Sequence, residues 1–133
     1  MILLDTNIVV AYLNGQADVA QRMVAHLPEI ALPSLVAAEL YHGARASARV
    51  EENLTKLDRP CSILPIVNFD LAAARQFGTL KAELRKRGRP TGETDTWIAA
   101  MALVHSATLV THNTRDFQHI PGLSLEDWLA PAP

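Results

Sequence analysis

Four carboxylates stand at positions where this chain could do chemistry. Asp5 ends the short apolar run Met1–Leu4 and is followed at once by Thr6-Asn7 and a helix-like stretch, Ile8–Leu13. Glu39 lies inside the otherwise apolar segment Leu35–Tyr41. Asp95 stands at the mouth of the most apolar helical stretch, with Glu93 two residues before it. Asp116 follows the strand-like Thr108–Thr111 after a short polar segment. Hard cations such as Mg²⁺ or Mn²⁺ take oxygen ligands, commonly a few carboxylates completed by water and substrate phosphates. Carboxylates that converge in this way, around one or two ions, support metal-assisted phosphodiester hydrolysis. The five histidines offer no zinc alternative, because they are scattered without paired-ligand spacing.

Singly, each acid also has a plain structural account. Asp5 can cap the helix after it by accepting the amide of Asn7 or Ile8. Glu39 can sit at the margin of a buried stripe and reach water; if instead the apolar segment around it is largely buried, the carboxylate needs a partner, a cation or a raised pKa. Asp95 can cap its helix, a task Thr94 could take instead, and Glu93 beside it suits the positive end of the helix dipole. Asp116 can be an ordinary loop residue. The joint placement carries more weight. At least three of the four fall at strand ends or helix starts, on one edge of the sheet that the elements imply.

Those elements alternate. Short apolar runs read as strands at Met1–Leu4, Ile30–Leu32, Ser62–Val67 and Thr108–Thr111, with Leu123–Leu125 a candidate last strand. Helical spacing covers Ile8–Leu13, Ala17–Leu27, Leu35 to about Ser47 with Ser34 as its N-cap, Val50–Leu57, Leu71–Arg87 capped by Asp70, and Thr96–His105 opened by Thr94 or Asp95. Pro60 is read as a helix breaker, and Pro65 argues for an edge strand or a strand end. Strands alternating with helices indicate βαβ units, so the fold class is α/β, with a central parallel sheet of about four to five strands covered on both faces. With no internal repeat, linker or low-complexity stretch, residues 1–133 read as a single domain with a short tail over about 129–133.

The bulk properties fit an ordinary folded domain and exclude several classes. At 133 residues and 49% hydrophobic content the chain can bury a sizeable core. Cys61 is the lone cysteine, so no intramolecular disulfide forms, and it reads as a small buried hydrophobe. No signal-peptide pattern and no membrane-length apolar run is present, which makes the cytoplasm the default location and argues against a membrane partner. A formal net charge of −2 excludes a globally basic nucleic-acid binder and leaves room for a local patch. Lys81, Arg85, Lys86, Arg87 and Arg89 cluster just before the loop to Asp95, and Arg45 and Arg49 follow Glu39. These are candidates for phosphate contacts, and equally for solvated helix-end charges.

With these residues assembled, the sequence resembles the PIN-domain family, and specifically the VapC-type toxins of bacterial toxin–antitoxin pairs. The similar stretches are Met1–Asn7, Ser34–Gly43, Gly92–Ala100 and Thr111–Phe117, with Ile120–Leu123 and Glu126-Asp127-Trp128 resembling the family's C-terminal end. The likeness runs over essentially the whole chain with the motifs in order. It implies a three-layer α/β/α sandwich and a Mg²⁺- or Mn²⁺-dependent endoribonuclease whose acidic quartet is Asp5, Glu39, Asp95 and Asp116. Glu39 would act directly or through a water, and Glu93 as an accessory ligand at most. Thr111 and Asn113 match the family's polar helpers, and Thr6 and Asn7 give polar support beside Asp5. The resemblance further implies an RNA substrate, a homodimer, and a small VapB-like antitoxin that holds the active site inactive. The chain departs from the family's usual pattern at Thr91, where an apolar residue is common.

Rival readings are a DNA nuclease of related fold and a degenerate interaction module. A haloacid-dehalogenase-type phosphatase would need a second Asp where Asn7 stands, and a receiver domain would need paired acids after the first strand. Retention of all four acids argues against a dead scaffold.

Overall fold

The computed structural model describes residues 1–131. β1 (Ile2–Leu4) is completely buried, which is why it is continuously apolar rather than alternating. It leads through α1 (Thr6–Leu13), α2 (Ala17–His26) and a short 3₁₀ turn at Leu27–Glu29 into β2 (Ile30–Pro33). Then come α3 (Ser34–Arg45), α4 (Val50–Ile63), β3 (Ile66–Val67), α5 (Leu71–Lys86) and α6 (Glu93–Val104). β4 (Thr108–Val110), α7 (Thr114–Phe117) and β5 (Ser124–Glu126) complete the described chain. The strands form one sheet in the order β3-β2-β1-β4-β5, parallel at every pairing. Helices flank this sheet in a three-layer α/β/α arrangement, as expected when right-handed crossovers step outward from β1 in one direction and from β4 in the other. Of the tail expected at 129–133, residues 132–133 lie outside the described residues.

α6 is apolar nearly all round, and Ile98, Ala99, Ala100, Met101 and Ala102 are each at most 1% exposed. Such a helix belongs at the centre of a core, and its start is thereby held against the sheet edge. Three helices end in the same way, each closed by a residue with positive φ that donates to the carbonyl three residues back, while the next amide reaches five back. Gly15 (φ 81°) and Gly88 (φ 66°) close α1 and α5. Ser106 (φ 48°) closes α6, with Ser106 N–H to Leu103 O at 3.1 Å and Ala107 N–H to Ala102 O at 2.9 Å.

Several expectations need correction. Pro60 does not break α4, which runs on to Ile63. The proline sits in the last turn and is buried, as are Leu57 and Leu64, which belong to the core. The strand expected over Ser62–Val67 therefore shrinks to Ile66–Val67, at the sheet edge that Pro65 suggested. Ser34 is the first residue of α3 rather than its cap, and its side chain caps nothing. Neither Thr94 nor Asp95 caps α6; Gly92 precedes the helix and its carbonyl accepts the Thr96 hydroxyl at 2.8 Å. Only Val36, Leu40 and Ala44 of α3 are buried, so Glu39 is exposed rather than enclosed in an apolar wall.

Candidate active site

β1 and β4 are neighbours, and from them the chain turns away in opposite directions, β1 towards β2 and β4 towards β5. The crevice beyond the carboxyl ends of two such strands is where open α/β sheets bind ligands. Asp5 leaves β1 at this point, 4% exposed, with its N–H donating to Val110 O at 2.9 Å. Its Oδ1 accepts the Thr6 amide at 2.8 Å, one residue nearer than the cap expected from sequence, and its Oδ2 accepts the Thr111 hydroxyl at 2.8 Å. The Asn113 amide donates to Thr111 Oγ1 at 3.0 Å, and the His112 amide to Asn7 Oδ1 at 3.0 Å. The Asp5 carboxylate is thus fixed in orientation while each oxygen keeps a further lone pair.

The other acids meet Asp5 electrostatically. Asp95, in the first turn of α6, has its carboxyl pushed up to about 6 by burial, and then by the charges of Asp5, Asp116 and Glu39. Burial and the Asp5 charge also raise the Glu39 carboxyl. Because Glu39 is exposed, that loss of hydration is partial. The Thr6 hydroxyl, buried and without a well-formed hydrogen bond, faces Glu39 and partly offsets the rise. Among the described residues, no three His, Cys, Asp or Glu side chains stand close enough to hold an ion as they are placed. The other three acids nevertheless bring their charges to bear on Asp95. In donor type, all hard oxygen, they fit a divalent cation of the Mg²⁺ or Mn²⁺ class.

Comparison with known proteins decides the family, since the PIN domain family matches residues 2–123. The chain belongs to the PIN-domain family. This PIN domain is 39% identical over 129 residues to Ribonuclease VapC2 of Rickettsia felis, covering 95% of this chain and 96% of that protein. It is 36% identical over 127 residues to the tRNA(fMet)-specific endonuclease VapC of Shigella flexneri, again covering 95% and 96%. In structure it resembles a chain of the VapBC2 complex from Rickettsia felis, bound to a DNA fragment from their promoter. The TM-score is 0.90 at 37% identity, covering 96% of this chain and 99% of that one.

Around the acids, this PIN domain sorts the basic residues differently from their sequence clustering. Lys81 pairs with Glu93 at 2.9 Å, both well exposed. Arg87 pairs with Glu83 at 2.9 Å and Arg49 with Glu52 at 3.4 Å. Arg85 and Lys86 line a shallow depression along α5 with Lys81, which none of the four acids enters. Arg45 is exposed in the last turn of α3. Of the expected cluster, Arg89 shares a groove with acids of the quartet. This groove, about 410 Å³, is lined by Arg89, Thr91, Asp95, Asp116, and by Arg115 and His119. The last two were missed, because α7 is too short to show a period and nothing in the sequence brings it beside the 89–92 loop. Thr91 Oγ1 and His119 Nε2 join the two at 2.6 Å, which gives a use for the polar residue at the position where the sequence departs from the family.

Proposed function

We propose that this PIN domain, as a single domain, is the toxin of a toxin–antitoxin pair. It is a metal-dependent endoribonuclease acting in the cytoplasm, with Asp5, Glu39, Asp95 and Asp116 around one or two Mg²⁺ or Mn²⁺ ions. The observation that carries this reading is Asp95, whose carboxyl is raised by burial and then by the charges of all three other acids, at the switch point of the sheet. A divalent cation bound there supplies charge neutralisation at the scissile phosphate and acidifies water. Asp5, locked between the Thr6 amide and the Thr111 hydroxyl, offers a fixed lone-pair direction from the sheet edge. Asp95 and Asp116 complete the acidic floor. Glu39 orients and deprotonates the attacking water, its carboxyl raised by burial and the Asp5 charge and so a stronger base than an ordinary carboxylate. In-line attack then leaves 5′-phosphate and 3′-hydroxyl ends.

Arg89 and Arg115, which form no ion pair among the described residues, and His119 hold the RNA phosphates that flank the cut. The antitoxin has a matching surface on the other side of the acids. A pocket of about 290 Å³ runs from Thr6 and Glu39 over Val10, Leu40, Ala44 and Leu57, wide enough at Gly43 that an added Cβ would meet nothing. A homodimer belongs to the same reading, and would cover exposed apolar residues such as Ile63, Ile66 and Leu71 beside edge strand β3.

The test is cleavage of structured and unstructured RNA and of matched DNA by the purified protein with Mn²⁺ or Mg²⁺, with a chelator and Asp5→Asn as controls. Metal-dependent RNA cleavage that is lost in the variant, with 5′-phosphate products, is the expected result. Cleavage of DNA alone, 2′,3′-cyclic phosphate ends, or a fully active variant would overturn the proposal.

A further inference from the structure

The C-terminal segment reaches the site by a route that the proposed reaction does not yet use. Just past β4, the Thr111 amide donates to Glu126 O at 2.9 Å, extending the pairing of β4 with β5 to the residue whose hydroxyl holds Asp5. Asp127 follows, with its side chain only 16% exposed. Its Oδ1 accepts the Leu129 amide at 2.8 Å, which sets the carboxylate in place from its own strand. Across the gap stands the His112 ring, with Nδ1 at 3.0 Å from Oδ2 and 3.3 Å from Oδ1 of Asp127. An ionised carboxylate only accepts, so the Nδ1 of His112 carries the proton.

His112 is the middle residue of the turn Thr111–Asn113, and each residue of this turn reaches towards Asp5. Thr111 donates its hydroxyl to Asp5 Oδ2, the Asn113 amide donates to that same hydroxyl oxygen, and the His112 amide donates to Asn7 Oδ1. A hydroxyl has one proton. Whether it is aimed at Asp5 depends on the Asn113 amide occupying the oxygen from the other side, and so on the turn staying closed. No strand pairing holds His112 itself; its ring is 56% exposed, and the Asp127 contact is its only side-chain hydrogen bond among the described residues.

We infer that Asp127 is a positioning residue for the nuclease site, clamping the Thr111–Asn113 turn through His112 and thereby orienting the Asp5 carboxylate. The inference rests on the nuclease reading of Asp5. A purely structural contact of this exposure would be worth little to stability. The segment also has anchors of its own. β5 pairs with β4, and the Trp128 side chain, 2% exposed, stacks on the His26 ring at 5.9 Å between centroids. Removing the Asp127 carboxylate also removes the acceptor of the Leu129 amide, but these anchors keep the C-terminal segment in place while the turn is freed.

The experiment compares wild type, Asp127→Ala and Asp127→Asn, the last keeping one acceptor for His112. In metal-free protein, hydrogen exchange followed by NMR is expected to speed up about tenfold at the His112 and Asn113 amides in Asp127→Ala, with core amides such as Ile8 unchanged. In the cleavage assay, kcat is expected to fall about tenfold with KM unchanged, and Asp127→Asn to recover most of both effects. Unchanged exchange at His112 and Asn113, loss of protection across the whole molecule, or a kcat equal to that of active wild type would each overturn the inference. A wild type inactive on every RNA would instead overturn the nuclease reading, and the catalytic role of Asp127 with it, whatever the exchange showed.

Discussion

At the scale of the residue, the sequence places some acids for the right structural reason and others for the wrong one. Asp5 could be placed from the abrupt end of a short apolar run, and the structure does set it at the exit of β1. Glu39 was singled out as a carboxylate in a buried helix, yet it is exposed; an apolar composition does not say which side of a helix faces water. The basic residues fared worst, because charges adjacent in sequence found acids of their own at Glu83, Glu93 and Glu52. Asp95 yields a prediction at this scale. Its folded-state carboxyl titrates near 6 against about 3.9 in an unfolded chain. Between those values the folded state binds more protons, so this group's contribution to stability is full below about pH 4 and is lost as pH rises through 6. After allowance for solvent screening, the loss is about 1 kcal/mol, or roughly 3 °C in Tm. Metal-free Asp95→Asn should therefore melt above wild type at pH 7.5, and the gap should close by pH 4.5. Parallel melting curves across that range would refute the charge crowding. Asp116→Asn belongs to the same scale and is expected to abolish cleavage without lowering Tm.

At the scale of the element, the protein contains its own comparison. α1, α5 and α6 end in the same hydrogen-bonded motif, closed by Gly15, Gly88 and Ser106. Only glycine adopts positive φ without a Cβ penalty, which for other residues is roughly 1 kcal/mol. Ser106 is exposed and its side chain makes no hydrogen bond among the described residues, so nothing there offsets the strain. Ser106→Gly should stabilise the protein by about 1 kcal/mol, raising Tm by roughly 3 °C, with cleavage unchanged. A lower Tm would mean that Ser106 holds its turn by another means. The two glycine closures were readable as punctuation, whereas a serine in the left-handed region leaves no mark in a sequence. Pro60 failed in the opposite direction. Its breaking power is real, but in the last turn of α4 the buried packing of Leu57, Pro60 and Leu64 outweighs one lost hydrogen bond.

At the scale of the molecule, the site exists because the strand order reverses between β1 and β4, and no local pattern announces that reversal. Alternating strands and helices imply a parallel sheet; they do not say that β4 lies against β1 rather than β3. That placement brings Thr111 to Asp5 across 106 residues of sequence, and α6 is wedged so that Asp95 meets the same charges. The assembly is electrostatically expensive when bare. A cation that binds only the folded arrangement must then stabilise the whole fold by mass action, by about 2.7 kcal/mol when present at a hundred times its Kd. For a domain of this size that is a rise in Tm of roughly 8 °C. Mn²⁺ is therefore expected to raise Tm in a concentration-dependent way, Ca²⁺-free buffer and chelator giving the baseline. Asp5→Asn should blunt the rise most, since Asp5 is the most deeply held donor, and Glu93→Gln should leave it intact, since Glu93 is committed to Lys81. Equal metal-induced shifts in all three proteins would place the cation elsewhere on the surface. A shift that vanishes in Glu93→Gln would place that residue in the ligand set despite its ion pair with Lys81.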